Sequence, residues 1–388
     1  MVKLASFKRI TSTGKLIPEI DGLRFFAISG VVLFHLFGLI AAVSLESTGG
    51  SFHFDNIAKL FFRGQFGVQL FFVISGLVLG IPFFKMRFKR EKDLNLRSFY
   101  LRRLTRIEPP YFIVMIVLFF ANVYVAHALE FHEGSKSLLA SLFYSHNFIY
   151  GRHVLPYLTA VAWSLEIEIQ FYLLMPLLSL IFLIRENKLR RGLMVVLIIL
   201  FTFLSDFAPL SFISLYDFIQ YFLVGFLLAD LYYHRSEIKK FKWAPVAGYF
   251  AFAGIWMFDP QNIHGIWLSI WHLLQLFFVF FFYYAVLFQN GFKWVKKDII
   301  VVIGGMCYSI YLLHYTIISF AGKLLPAYSL TGNVFFDNII YSIIILIIVL
   351  IISALFYIFI ERPCMNKNWP KELMARIKNF KSNKPATN

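Results

Sequence analysis

IDGLRFFAISGVVLFHLFGLI, residues 20–40, is an apolar run with an aspartate and an arginine at its mouth and a histidine near its middle. Arg24 and His35 are eleven residues apart. On a helix that is close to three whole turns, so both point to one side, separated by a rise of about 16 Å. An ionisable side chain halfway along a membrane span is costly and faces a bundle interior or a water-filled cavity, which makes His35 a candidate functional group. The alternative is a histidine hydrogen-bonded between helices.

The rest of the chain supplies the membrane context. Of 388 residues, 59% are hydrophobic and 15% charged, with a mean hydropathy of +0.71; soluble domains are about 45–50% apolar. The expected fold class is therefore all-α, a polytopic bundle of membrane helices, with 48 Phe and 20 Tyr suited to lipid-facing and interfacial positions. A net charge of +16 invites nucleic acid, but the basic residues fall in short clusters between apolar spans, so no nucleic-acid partner is expected. Cys307 lies inside a span and Cys364 just past the last one, which suits neither a disulfide framework nor a thiolate zinc site. The N-terminus is too polar for a signal-peptide core and is expected to be retained.

Stretches of about 17 to 25 apolar residues can each cross a bilayer. They occur near 22–43, 66–84, 111–127, 160–184, 192–207, 216–233, 243–258, 266–288, 299–321 and 338–360, about ten transmembrane helices that place both termini on one side. Of the 37 Lys and Arg, 31 fall in the two tails and the links at 85–106, 185–191, 235–242 and 293–297. The alternate links hold only Lys59, Arg63, Lys136, Arg152 and Lys323, and Arg24 lies at the mouth of the first span. This asymmetry assigns both termini to the cytoplasm. One transmembrane domain over 1–365 and a basic cytoplasmic tail over 366–388, lying on anionic headgroups, are expected. The outer link 128–159 carries His132, His146 and His153, with His127 at its edge; their spacings fit no compact ligand set, and no metal is expected. No internal repeat of the transporter kind is visible.

Several stretches carry chemistry. In GQFGVQLFFVISGLVLG, Gly76 and Gly80 form a small-xxx-small pair for close helix packing, and Ser75 can hydrogen-bond across that contact. Arg103 and Arg106 in RSFYLRRLTRIEPPYF are three apart, share a helix face and can grip a phosphate together, against the simpler reading of topology-setting charge. In AVAWSLEIEIQFYLLMPLL, Ser164, Glu168 and Tyr172 line one face and Glu166 another. Counted from Arg185, Glu168 lies about 25 Å above the cytoplasmic boundary and His35 only about 16 Å. Unless a helix is broken or shifted, that places Glu168 nearer the outer mouth, for acceptor hydroxyls or a buried polar contact. In IVVIGGMCYSIYLLHYTIISFAG, Tyr308, Tyr311 and Tyr315 form a stripe with His314 beside Tyr311, either packing or acceptor contact.

Together, DGLR and FH, GVQLFFVISG, RRLTRIEPPY, WSLEIEIQFYLLMP, YSIYLLH and ERP occur in an order that resembles the acyltransferase 3 family of integral-membrane acyltransferases. The resemblance covers nearly the whole chain. It implies transfer of an acyl group, commonly acetyl from acetyl-coenzyme A, to a hydroxyl of a cell-envelope glycan or similar carbohydrate acceptor, in the bacterial cytoplasmic membrane. It also implies functional roles for Arg24, His35, Arg103 and Arg106. The family's glutamate falls on Glu168, and Glu166 stands where a small or polar residue is more usual. Some relatives carry a fused extracytoplasmic hydrolase-like domain; this chain shows none, so it is expected to act alone or to hand its acyl group to a separate extracytoplasmic transferase.

The scheme that follows has acyl-coenzyme A as co-substrate, with no permanently bound cofactor. Its phosphates rest on Arg24, Arg103 and Arg106, and its thioester reaches His35. His35 is either a general base on the acceptor hydroxyl or the site of a transient acyl-imidazole. The acceptor enters from the outer side past Glu168 and His314, which with Ser164 and Tyr311 are either acceptor-side or structural. The rivals are a transporter or flippase for a lipid-linked sugar and a non-catalytic subunit of polysaccharide assembly.

Overall fold

Why the first span begins where it does is local chemistry. Pro18 takes the first helical position, where its missing N–H costs nothing, and Glu19 and Asp21 face the positive end of the helix dipole. Helix α1 then runs Pro18–Thr48. The computed structural model describes residues 7, 9–10, 16–48, 61, 63–89, 95–257, 263–289, 292–324, 330–366 and 369–370. Of the expected tail at 366–388, all but Asn366, Trp369 and Pro370 lies outside the described residues.

Among the described residues the regular structure is entirely helical. After α1 come α2 (Gly67–Lys89), α3 (Leu96–Phe120), the short α4 (Phe131–Leu142) and α5 (His146–Tyr150), α6 (Trp163–Leu178), α7 (Asn187–Phe207) and α8 (Ile219–Tyr233). Then follow α9 (Ala244–Met257), α10 (Ile266–Phe288), α11 (Asp298–Gly305), α12 (Cys307–Leu324) and α13 (Val334–Phe356). Caps mark several starts. Asn95 accepts the Ser98 N–H at 3.0 Å ahead of α3, and the Glu186 carboxylate accepts the N–H groups of Lys188 and Leu189 ahead of α7.

Each of the ten predicted stretches is mainly helical over its described residues, but six helices among the described residues are long and apolar enough to cross a membrane, or seven if the bent pair α11–α12 is one span. The difference has physical causes. Helices α8 and α9 have 15 and 14 residues, about 22 and 21 Å at the α-helical rise, against about 30 Å of hydrocarbon. Helix α7 is 21 residues long but carries Lys188, Arg190 and Arg191 in its first turns and Asp206 near its end.

The predicted continuous ninth span is broken. Helices α11 and α12 meet at Met306 at an angle of 69°. Gly304, just before the break, lies so close to α1 that a Cβ there would sit 1.8 Å from the Asp21 carbonyl oxygen. Hydropathy does not report such a bend, because both halves are apolar. Helix α1 is central: it packs on α2, α11 and α12. Behind it α2 and α8 touch backbone to backbone, where a Cβ on Gly76 would lie 2.3 Å from the Phe222 carbonyl oxygen and one on Gly225 2.4 Å from that of Val73. Gly80 meets the softer Ala229 side chain at 2.8 Å.

Candidate active site

The seam between α1 and α12 holds the candidate residues at two levels. At the lower level Oδ1 of the fully buried Asp21 carboxylate accepts Arg24 Nη1–H at 2.5 Å, one helical turn away, and its Oδ2 accepts Arg9 Nε–H at 3.1 Å. Burial, together with repulsion from Arg24 and Arg106, pushes the Arg9 guanidinium down to about 10 despite the pull of Asp21.

Helix α3 delivers Arg103 and Arg106 to the same place. Pro109 has no N–H for the Thr105 carbonyl, and Trp369 Nε1–H donates to that oxygen at 2.8 Å instead. Tyr308 on α12 donates to the Ile107 carbonyl at 2.9 Å, so the arginine turn of α3 is pinned against the start of α12. The Arg103 guanidinium lies 3.7 Å over the Phe99 ring and donates to the Phe99 carbonyl at 3.2 Å. Arg106 is within electrostatic reach of Arg9, Arg103, Tyr172 and Glu361. Arg24 also senses Tyr172 and Cys307.

Glu361 closes this level from the end of the last helix. It is fully buried, and its Oε2 accepts both the Ser309 N–H at 3.0 Å and the Ser309 hydroxyl at 2.5 Å. It therefore caps one of the free N–H groups that the break exposes at the start of α12, that of Ser309. Its Oε1 is buried without a partner. The resulting group sets four guanidiniums, Arg9, Arg24, Arg103 and Arg106, against the carboxylates of Asp21, Glu168 and Glu361.

At the upper level, His35 is half-buried. Its ring centroid lies 5.2 Å from that of His314 and 5.0 Å from that of Tyr315, both on α12. Tyr311, one turn below His314, shares a hydrogen bond of 2.6 Å with Ser164 and donates to the Val161 carbonyl at 2.9 Å. Ser164 and Tyr311 thus tie α6 to α12, while His314 stands against His35.

Glu168 is the residue whose neighbourhood differs from the sequence expectation. Its carboxylate accepts the Tyr172 hydroxyl and, at 2.7 Å, the Ser75 hydroxyl. Tyr172 in turn faces Arg103, whose guanidinium is 5.4 Å from its ring centre. Glu168 therefore keeps company with the arginines and not with His314. Helix α3 enters far enough to meet Glu168: Arg103 is seven residues beyond Leu96, a rise of about 10 Å before the long side chain begins. Ser75, expected to bond across the contact made by Gly76, bonds α6 while Gly76 abuts α8.

Glu166 has a separate task. Its two oxygens accept the N–H groups of His146 and Asn147, each at 2.9 Å, at the start of α5. It holds the start of α5 onto α6 and faces away from the seam. Sequence reasoning passed over Asp21, Arg9 and Glu361 as site residues. Arg9 gives no local signal in a basic tail. Glu361 does: an acid directly after an apolar run of over twenty residues is costly in a membrane unless it has a role.

The family described as an acyltransferase domain matches residues 17–358. The chain belongs to the acyltransferase 3 family. It is an integral membrane protein. It is similar to the O-acetyltransferase OatA of Staphylococcus aureus (strain NCTC 8325 / PS 47), at 25% identity over 391 residues, covering 94% of this chain and 60% of that protein. A shorter match, 30% identical over 182 residues, links it to the peptidoglycan O-acetyltransferase OatA of Listeria monocytogenes, covering 44% of this chain and 25% of that protein. The chain thus spans about three fifths of the length of the S. aureus relative. No solved structure matches it significantly.

Proposed function

We propose that this protein is an O-acyltransferase that moves an acyl group, acetyl in the first instance, from acyl-coenzyme A to a hydroxyl of a cell-envelope glycan, with peptidoglycan the leading acceptor class. The observation that carries the reading is the two-level seam: guanidiniums gathered where α1 and α12 begin, and an imidazole about 16 Å further along α1. That separation suits a donor whose polyanionic part is gripped at one end while its thioester lies deep in the bundle. The names of the S. aureus and L. monocytogenes relatives support acetyl as the group and a glycan as the acceptor.

In this scheme the phosphates of the donor rest on Arg103 and Arg106, whose planar forks suit phosphate oxygens. Asp21 holds Arg24 in place beside them. His35, half-buried and free of any hydrogen-bonded carboxylate among the described residues, meets the thioester as base or as transient acyl carrier. Ser164, Tyr311 and His314 belong to the acceptor side of the seam, and Glu168 to the donor side with Tyr172. The arginine end faces the cytoplasm of a bacterial inner membrane, where acyl-coenzyme A is found, and the group goes to the acceptor directly or by way of a separate extracytoplasmic transferase.

The test is release of coenzyme A thiol from acetyl-coenzyme A by the full chain in lipid nanodiscs. Wild-type protein should turn over, and His35→Ala should be silent while remaining folded and inserted. A wild-type protein that binds but never cleaves the thioester would identify a carrier, and an active His35→Ala would remove the central residue.

A further inference from the structure

His314 is fully buried on α12. Its Nδ1 lies 2.9 Å from the carbonyl oxygens of both Ile310 and Tyr311. Carbonyls only accept, so Nδ1 carries the ring proton, and in the neutral ring Nε2 is left as a bare acceptor. That nitrogen is buried and has no hydrogen-bond partner. A buried acceptor without a donor is costly and asks for an explanation.

The ring beside it is His35, centroid to centroid 5.2 Å, with Tyr315 packed edge-on at 5.0 Å against His35. At that separation a modest turn of the half-buried His35 ring brings one of its N–H groups onto His314 Nε2. Hydrogen bonds of this kind are often open in ligand-free enzymes and tighten with substrate bound. Glu168, the glutamate on the same side of α6 as Ser164, is occupied by Ser75 and Tyr172.

We propose that His314 is the positioning residue of the active site: its bare Nε2 receives one N–H of His35 and so fixes the His35 tautomer, leaving the other His35 nitrogen with its lone pair toward the substrates. The inference rests on the acyltransferase reading and goes one step further, giving an imidazole the place that a carboxylate holds in the serine-protease triad. His35 then takes the proton of the acceptor hydroxyl as that oxygen attacks the thioester carbonyl. The C–S bond breaks, the coenzyme A sulfur leaves, and the proton passes from His35 to that sulfur. The products are the O-acyl ester and free coenzyme A thiol, and His35 returns neutral with its remaining N–H still on His314.

Three variants test this by acetyl-coenzyme A turnover in nanodiscs, each checked for a wild-type melting temperature. His314→Leu should lower kcat about a hundredfold or more with KM for acetyl-coenzyme A changed by less than about twofold. His314→Gln carries its amide oxygen near the place of Nε2 and should recover about tenfold or more of that loss. His314→Asn reaches only the place of Nδ1 and should recover none. A Leu variant with kcat within about threefold of wild type, a loss carried by KM, or a Gln variant no better than Asn each overturns the proposal. Should the Leu variant fail to fold, the Gln and Asn pair decides alone. His35→Ala is run alongside: if it is silent while His314→Leu is not, only the positioning role falls, whereas an active His35→Ala defeats the acyltransferase reading itself.

Discussion

Arg106 reaches the arginine cluster with no hydrogen bond to another described residue, whereas Arg24 is committed to Asp21 and Arg103 to the Phe99 carbonyl. Its whole fork is therefore open to a ligand. A hydrogen bond to a charged group contributes about 1.5–3 kcal/mol, which is roughly ten- to hundredfold in affinity. Arg106→Ala should raise KM for acetyl-coenzyme A by about that factor and leave kcat nearly unchanged, because the contact is made equally in ground and transition states. Arg106→Lys keeps the charge but loses the planar fork, and should fall between the two. Donor titrations at saturating acceptor measure both; an unaltered KM in the Ala variant takes Arg106 out of the donor site.

At the level of elements, two glycines that look alike in sequence part company. Gly304 and Gly192 both lie within helices, but a Cβ at 304 would stand 1.8 Å from the Asp21 carbonyl oxygen, while at 192 it meets nothing within 4 Å. The Gly304 neighbour is backbone and cannot swing aside. Gly304→Ala should push α11 off α1, cost about 1–3 kcal/mol or more, and disturb Arg24 through Asp21. Gly192→Ala should instead stabilise by up to about 1 kcal/mol, the helix-propensity difference. Melting temperatures in detergent separate them, and equal shifts would mean that the close α1–α11 approach is not maintained in the membrane.

The same contrast shows where sequence was informative. Apolar length found every long helix, and the eleven-residue spacing put Arg24 and His35 on one face of α1, because both are properties of a single helix. The break at Met306, the capping of α12 by Glu361 and the entry of Arg103 to Tyr172 are relations between helices. Periodicity within one segment carries no information about them. Glu168 shows the limit: its height along α6 is countable and left two readings open, but its neighbours Ser75 and Tyr172, and Arg103 beyond them, depend on how α2 and α3 pack.

For the whole molecule, the deciding quantity is the number of crossings, because parity fixes which face each loop meets. Helix α8 has 15 residues, but the 3-10 turn Leu215–Asp217 leads into it, and from Leu215 to Tyr233 the rise is about 28 Å, nearly the hydrocarbon thickness. Helix α9, about 21 Å long, depends on local thinning or on the large side chains at its ends, Trp243 and Met257 being 79% and 70% exposed. If both cross, the link bearing Lys239, Lys240 and Lys242 is cytoplasmic, on the same side as the two tails and the arginine cluster. If neither crosses, that link is external although the tails stay inside; if only one does, the tails part. A single cysteine at Lys240 and a tag at the C-terminus should therefore both be reachable only after the inner face is opened to an impermeant thiol reagent and an antibody. Labelling of Lys240→Cys from outside, with the tag still protected, would leave α8 and α9 as in-plane helices and reduce the bundle by two crossings. Tails on opposite sides would separate the cluster's face from one terminus, and the charge asymmetry of the loops would need another cause.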